Sequence, residues 1–174
     1  MSKMLLRLAL LVPVVAASTI LVTICGCGDS AASGAVQIET VREVFPSATD
    51  ISIMSTNWDV QESGRPGNPI VSEIRESSGL LGYSVVSDVV GRSGPFRIHV
   101  LLDEQHIVKR ATVISYPWSH GRQVGRRSFA NQFEGKGPED AIEVGKDIDA
   151  VTGATISCRA MAQGVRQAVR LLAE

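Results

Sequence analysis

The feature that most restricts the fold is a group of four short segments between Ile70 and Ser115. Each segment is rich in β-branched residues, and Ser-Gly, Gly-Arg-Ser-Gly and Asp-Glu-Gln turns separate them. Such segments are typical of β-strands, and strands joined by short turns pair in antiparallel order. The sequence therefore predicts an antiparallel meander with strands over IVSEIRES, LGYSVVSDVV, PFRIHVLL and HIVKRATVIS.

Helical periodicity lies on both sides of these strands. It is seen in VQIETVREVF, which ends before Pro46, and in the terminal run SCRAMAQGVRQAVRLLAE. A short helix with Ser128 as its N-cap is predicted for SFANQFEGK. Helices at both ends of a block of strands predict an α+β fold with a C-terminal amphipathic helix packed on the sheet. The apolar face of that helix is predicted to consist of Met161, Val165, Ala168 and Leu172.

The N-terminal segment has the pattern of an export signal. Lys3 and Arg7 are followed by an uncharged apolar stretch, so residues 1–26 are predicted to form a signal peptide. ICGC, which ends at Cys27, resembles a bacterial lipobox and predicts lipidation of Cys27. An uncleaved anchor helix over the same residues is the alternative. Both predict a protein tethered to the extracytoplasmic (periplasmic) face of a bacterial cell membrane.

Composition narrows the functional classes of the remaining chain. Residues 27–35 are mostly small and polar and predict a flexible tether, and the domain is expected over residues 36–174. The 17 basic and 18 acidic residues nearly cancel, which argues against a nucleic-acid partner. Cys158 is the one cysteine of the predicted domain, so neither a disulfide framework nor a Cys/His metal site is expected. The three histidines have no patterned partner for a Ser/His/Asp set, and no catalytic residue is predicted.

The stretch DAVTGATIS, residues 149–157, stands directly before the terminal helix. The N–H groups at a helix start lack intrahelical partners, and the helix dipole adds positive charge there, so a phosphate group fits. Gly153 and Ala154 let a ligand approach the backbone closely. The residues alone leave helix capping and phosphate binding both open. The hydroxyl groups that could serve either purpose belong to Thr152, Thr155 and Ser157.

DAVTGAT resembles the flavinylation motif Asp-x-x-Ser/Thr-Gly-Ala-Thr of the FMN-binding domain family. This family includes the covalent-flavin subunits of the Rnf complex and of the sodium-pumping NADH:quinone oxidoreductase. The blocks from GYSVVSDVVGRSGPFRIHV onward, FANQFEGK and GKDIDAVTGATIS are similar to the family from about Gly82 to the C-terminus. In the family a flavin transferase joins FMN by a phosphoester bond to the last threonine of the motif, and the resemblance implies that this residue is Thr155. It implies cofactor-binding positions at Asp149, Thr152, Gly153, Ala154 and Ser157 as well.

The resemblance implies an electron-transfer protein with FMN as its cofactor. Such a protein is a redox carrier rather than a free-standing enzyme, because the redox chemistry belongs to the flavin. Its expected partners are a flavin transferase, redox proteins that the sequence does not identify, and the membrane. Two alternatives stay open: a non-catalytic lipoprotein or sensor module that binds flavin non-covalently or not at all, and a subunit of an Rnf-like membrane complex. SYPWSHGRQVGRR stands where Rnf-type members carry Glu-Thr-Pro-Gly-Leu-Gly, which disfavours the last alternative.

The segment YPWSHGRQVGRR supplies further candidates. Its aromatic residues could stack on a flavin ring or cover the edge of the core. Its arginines could complement the flavin phosphate or form a solvated basic face. Cys158 is expected to be a small packing residue. The aromatic and basic candidates are Tyr116, Trp118, His120, Arg122, Arg126 and Arg127.

Overall fold

The computed structural model describes residues 31–54 and 69–173. The predicted signal peptide and Cys27 lie outside the described residues. Within them, no helix combines the length and the apolar character that a membrane span requires. The helices are α1 Ala31–Val44, α2 Arg127–Ala130 and α3 Thr155–Ala173, and 3₁₀ helices cover Arg122–Gly125 and Asn131–Phe133. The strands are β1 Asp50–Ile53, β2 Ile70–Glu76, β3 Gly79–Val90, β4 Pro95–Asp103 and β5 Val108–Ser115.

The five strands form one antiparallel sheet in the order β1-β2-β3-β4-β5, so every strand pairs with its neighbour in the chain. This arrangement confirms the predicted meander and the α+β class. The four predicted strands correspond to β2–β5. Strand β1 was not predicted because four residues with mostly exposed side chains give too short a pattern to recognise.

The larger part of the core lies between α3 and the sheet. Met161, Val165 and Ala168 are buried in it, and Leu172 packs against it, which confirms the predicted apolar face. Helix α3 approaches the sheet closely at Gly164, where a Cβ atom would lie 2.5 Å from Val89. Side chains alternate between the two faces of the sheet along β4, so Ile98, Val100 and Leu102 all lie in this cluster.

A smaller cluster lies on the opposite face of the sheet, under α1. It contains Val41 and Phe45 of the helix region and Ile74 and Leu101 of the sheet. Helix α1 begins at Ala31, before Val36, so the last residues of the predicted tether are helical. Alanine is the strongest helix former, and Ala31, Ala32 and Ala35 extend the periodic segment in the N-terminal direction.

The short helical segment after the sheet differs from its prediction. Its first helical residue is Arg127 and its N-cap is Arg126, with no side chain bonded to the cap. The prediction that Ser128 caps this helix is therefore wrong. Packing decides the position of this segment, because Phe129 and Phe133 are buried in the core and meet edge to face with ring centroids 5.3 Å apart.

Candidate functional site

Three loops meet at the N-terminal end of α3 and border an open cavity of about 520 Å³. They are the turn between β3 and β4, the segment after β5, and the loop that precedes α3. Ligand and cofactor sites commonly occupy roughly 300–1,000 Å³, so the cavity suits a small-molecule cofactor. Its lining consists of Arg92, Ser93, His120, Gly121 and residues 153–157.

The start of α3 supplies backbone donors to this cavity. The N–H of Ala154 donates to the carbonyl of Val151 at 3.0 Å, and the N–H of Cys158 donates to the carbonyl of Ala154 at 2.8 Å. The helical bonds thus begin at Cys158, and the N–H groups of residues 155–157 precede them. Such donors, together with the helix dipole, form a binding place for a phosphate group.

The structure brings four of the six predicted cofactor-binding residues to the cavity. Thr155 is exposed at the first position of α3, and Gly153 is exposed in the left-handed region with φ of 83°. Ala154 contributes its backbone, because its methyl group is buried in the core. Ser157 also lines the cavity, although the residue is only 1% exposed.

The two remaining predicted residues, Asp149 and Thr152, are exposed and stand outside the cavity lining. The backbone of Asp149 is held by Gln132, whose side-chain amide accepts from the N–H at 2.7 Å and donates to the carbonyl at 3.2 Å. The carboxylate of Asp149 therefore faces solvent from a fixed backbone position.

Asp147 organises the loop that leads to the predicted motif. Its carboxylate accepts from the N–H groups of Ile142 at 3.0 Å and Glu143 at 2.8 Å, and Lys136 Nζ lies 3.1 Å away. Burial raises the pKa of Asp147, but these hydrogen bonds and the lysine charge outweigh burial and hold the pKa below its usual value. Ile142 is buried with φ of 44°, an unusual conformation for a β-branched residue, so this carboxylate stabilises a strained loop.

The predicted aromatic candidates have three different positions. His120 is exposed and lines the cavity. Trp118 packs on Gly94 and donates its indole N–H to the carbonyl of Pro95 at 2.8 Å, so it secures the β3–β4 turn. The ring of Tyr116 packs on Phe96 with centroids 5.0 Å apart, and its hydroxyl donates to the carbonyl of His120 at 2.7 Å. The hydroxyl also lies 3.1 Å from Ser157 Oγ.

The arginines and Cys158 are placed as follows. Arg92, which was not a candidate, lines the cavity, whereas Arg122 follows the lining residue Gly121 and is exposed. Arg127 lines a separate groove beside β5. Cys158 is fully buried, as predicted for a packing residue, and burial raises the pKa of its thiol. Across residues 31–54 and 69–173, no cluster of His, Cys, Asp and Glu suits a metal ion.

Several cavity residues were missed because the sheet, and not the motif, brings them together. Val90 pairs with Pro95, and Arg97 pairs with Ser115. The end of β3, the start of β4 and the end of β5 therefore lie at the same end of the sheet. The predicted meander could have indicated this proximity, because every second connection of an antiparallel meander lies at the same end of the sheet. The residues missed in this way are Arg92, Ser93 and Gly121.

Gln123 provides a further polar group beside the motif. Its Nε2 atom lies 3.9 Å from the position that a Cβ atom of Gly153 would take. Its Oε1 atom is buried and has no hydrogen-bond partner among the described residues.

Comparison with known proteins assigns a family to this region. Residues 91–170 match the family model of the FMN-binding domain. The matched range begins at Gly91, in the β3–β4 turn, and ends within α3, so it contains every residue that lines the cavity. A comparison with curated proteins finds no match for the chain.

Proposed function

Since this chain belongs, through residues 91–170, to the FMN-binding domain family, we propose that its FMN is joined by a phosphoester bond to Thr155. The family supports an FMN-binding role in electron transfer, and FMN is the cofactor. The covalent bond, the membrane tether and the extracytoplasmic location are parts of the proposal.

The observation that carries the attachment site is the position of the Thr155 hydroxyl. Among the three hydroxyl groups of residues 149–157, it alone combines exposure with a place in the cavity lining. Ser157 is buried, and Thr152 stands outside the lining. A phosphate on Thr155 would also be close to the N–H groups of residues 155–157, which favour negative charge.

The described residues fit FMN. The cavity volume suits a cofactor, and Gly121 and Gly153 leave parts of its wall without side chains. The side-chain amide of Gln123 adds a polar group near Gly153, with Nε2 toward Gly153 and a buried Oε1 that has no partner among the described residues. When bound, FMN supplies one- and two-electron redox chemistry, and the protein holds and orients it.

Attachment requires an activated flavin nucleotide, because an alcohol does not condense with a free phosphate in water. Thr155 Oγ bonds to the phosphorus of the FMN phosphate and loses its proton. The phosphoanhydride bond of the donor, such as a flavin dinucleotide, breaks, and a nucleoside monophosphate leaves. A flavin transferase is the proposed catalyst, and the exposed carboxylate of Asp149 is a suitable recognition point for it.

The attachment is tested by coexpressing the exported protein with a flavin transferase and recording its intact mass. The wild type is expected to gain the mass of one FMN phosphoester and to keep flavin fluorescence in a denaturing gel. Thr155→Val should lose both signals, whereas Thr155→Ser, which restores a hydroxyl, should regain them. A wild type that releases all its FMN on denaturation would instead support non-covalent binding.

The proposed tether rests on the leader sequence, which lies outside the described residues. Labelling with a palmitate analogue separates the two forms of the tether. Incorporation into the wild type and its loss in Cys27→Ser would support lipidation. An unlabelled chain of full length in the membrane fraction would support the anchor helix.

A further inference from the structure

One side chain, Tyr116, connects the segment after β5 with the first turn of α3. It follows β5 directly, and its ring packs against Phe96 with centroids 5.0 Å apart. Its hydroxyl reaches the carbonyl of His120 in its own loop at 2.7 Å and the hydroxyl of Ser157 in α3 at 3.1 Å. The segment between Tyr116 and Gly121 is thereby closed onto the start of α3.

The direction of these hydrogen bonds is fixed by the groups involved. A carbonyl oxygen only accepts, so the single proton of the Tyr116 hydroxyl is used by the carbonyl of His120. In the contact between the two hydroxyls, Ser157 must therefore donate and Tyr116 accept. A hydrogen bond from Ser157 to a flavin phosphate stays a prediction, and it would require the Ser157 proton to turn away from Tyr116.

Two glycines leave just enough space for this pair of hydroxyls. A Cβ atom at Gly121 would lie 2.4 Å from Tyr116 Oη and 2.9 Å from Ser157 Oγ. A Cβ atom at Gly91, in the third loop, would lie 2.8 Å from Ser157 Oγ. The β3–β4 turn, the segment after β5 and the first turn of α3 therefore meet at one hydrogen-bonded pair, and a Cβ atom at Gly91 or Gly121 would displace it.

We propose that Tyr116 is a positioning residue for the bound FMN. Its hydroxyl holds the wall formed by His120 and Gly121 against α3, and this wall sets the position of the flavin. The inference rests on the proposed attachment to Thr155. The attachment to Thr155 and the positioning by Tyr116 can be tested separately. The amount of bound FMN depends on Thr155, whereas the orientation of the bound flavin depends on the wall.

The test compares flavinylated Tyr116→Phe with the wild type. The variant retains the ring and loses one hydrogen bond. This loss shifts the equilibrium between the closed and open positions of the wall by roughly two- to tenfold. The mass gain is expected to stay complete, while the visible circular dichroism of the flavin falls, iodide quenches its fluorescence more strongly, and its reduction potential moves toward that of free FMN. Ser157→Ala removes the other partner and should give the same changes.

Tyr83→Phe is the matched control, since Tyr83 lies toward the other end of β3 and its ring contacts His106. It should leave all flavin signals unchanged. A purely structural role for Tyr116 would lower the melting temperature of the variant but leave the flavin signals of the folded protein at wild-type values, and that result would overturn the proposal. If the wild type shows no mass gain, the attachment to Thr155 fails, and the same spectra recorded at saturating free FMN decide the role of Tyr116.

Discussion

His99 is a buried titratable group within the sheet. It is 1% exposed, its Nε2 lies 2.8 Å from Ser84 Oγ, and its Nδ1 has no partner in the described part of the chain. In the sheet register it stands opposite Val86 and Thr112, neither of which carries a charge. Burial disfavours the charged imidazolium and lowers the pKa of His99 to about 4.

This shift predicts a pH-dependent stability. The unfolded chain binds the proton near the ordinary pKa of about 6.5, whereas the folded chain binds it only near 4, so stability falls as the pH drops between these values. The loss is expected to approach roughly 3 kcal/mol, the product of the shift and 1.36 kcal/mol per pH unit. Urea unfolding at a series of pH values measures it.

His99→Gln should flatten this part of the pH profile, while His120→Gln, at an exposed position, should leave it intact. An equal slope in the wild type and His99→Gln would contradict the assignment. The sequence did not predict this pKa shift. Alternation along β4 assigns His99 to one face of the sheet, but the burial of that face depends on the folded structure.

At the scale of elements, the sequence predicted what depends on local periodicity and missed what depends on contacts between distant segments. Strands β2–β5 and the apolar face of α3 follow directly from their spacing. The cap expected at Ser128 failed because the burial of Phe129 and Phe133 sets that segment. The cavity lies where three loops meet at one end of the sheet. The motif therefore predicted only the part of its lining that residues 153–157 provide.

The loop before α3 gives a prediction at this scale. Asp147→Asn keeps the size of the side chain but replaces a charged acceptor of two backbone N–H groups. Hydrogen bonds to charged groups contribute about 1.5–3 kcal/mol, so a loss of stability of this order is expected. Hydrogen exchange should show reduced protection concentrated in residues 137–149.

Glu139→Gln changes an exposed carboxylate of the same loop and serves as the control. Its exchange pattern should match that of the wild type. Uniform loss of protection over the whole sheet in Asp147→Asn would show that the carboxylate supports global stability rather than the order of this loop.

At the scale of the whole molecule, the sheet separates two packing layers with different tasks. The layer of α3 contains the larger cluster and borders the cavity, whereas α1 covers the smaller cluster and precedes the range matched by the family. None of the described residues that line the cavity belongs to α1, which covers the opposite face of the sheet.

This separation predicts that the two layers respond differently to truncation. Phe45→Ala removes a buried ring from the α1 layer and is expected to reduce the free energy of unfolding by about 3 kcal/mol. The fraction of folded protein that gains FMN should stay at the wild-type value. Intact mass and urea unfolding measure the two quantities on the same sample.

Val169→Ala truncates the α3 layer and provides the comparison. It should reduce both stability and FMN loading, because α3 begins at the proposed attachment site, Thr155. Parallel loss of FMN in Phe45→Ala and Val169→Ala, after correction for the folded fraction, would show that the two faces of the sheet are coupled.

The exposure of Thr155 in the folded chain bears on the order of events in biogenesis. A modifying enzyme can reach this hydroxyl without opening the sheet or unwinding α3. The proposed attachment of FMN therefore does not require an unfolded chain and can follow folding. Purified apoprotein should accept its flavin long after it has folded, which makes the maturation of this protein accessible to stepwise reconstitution.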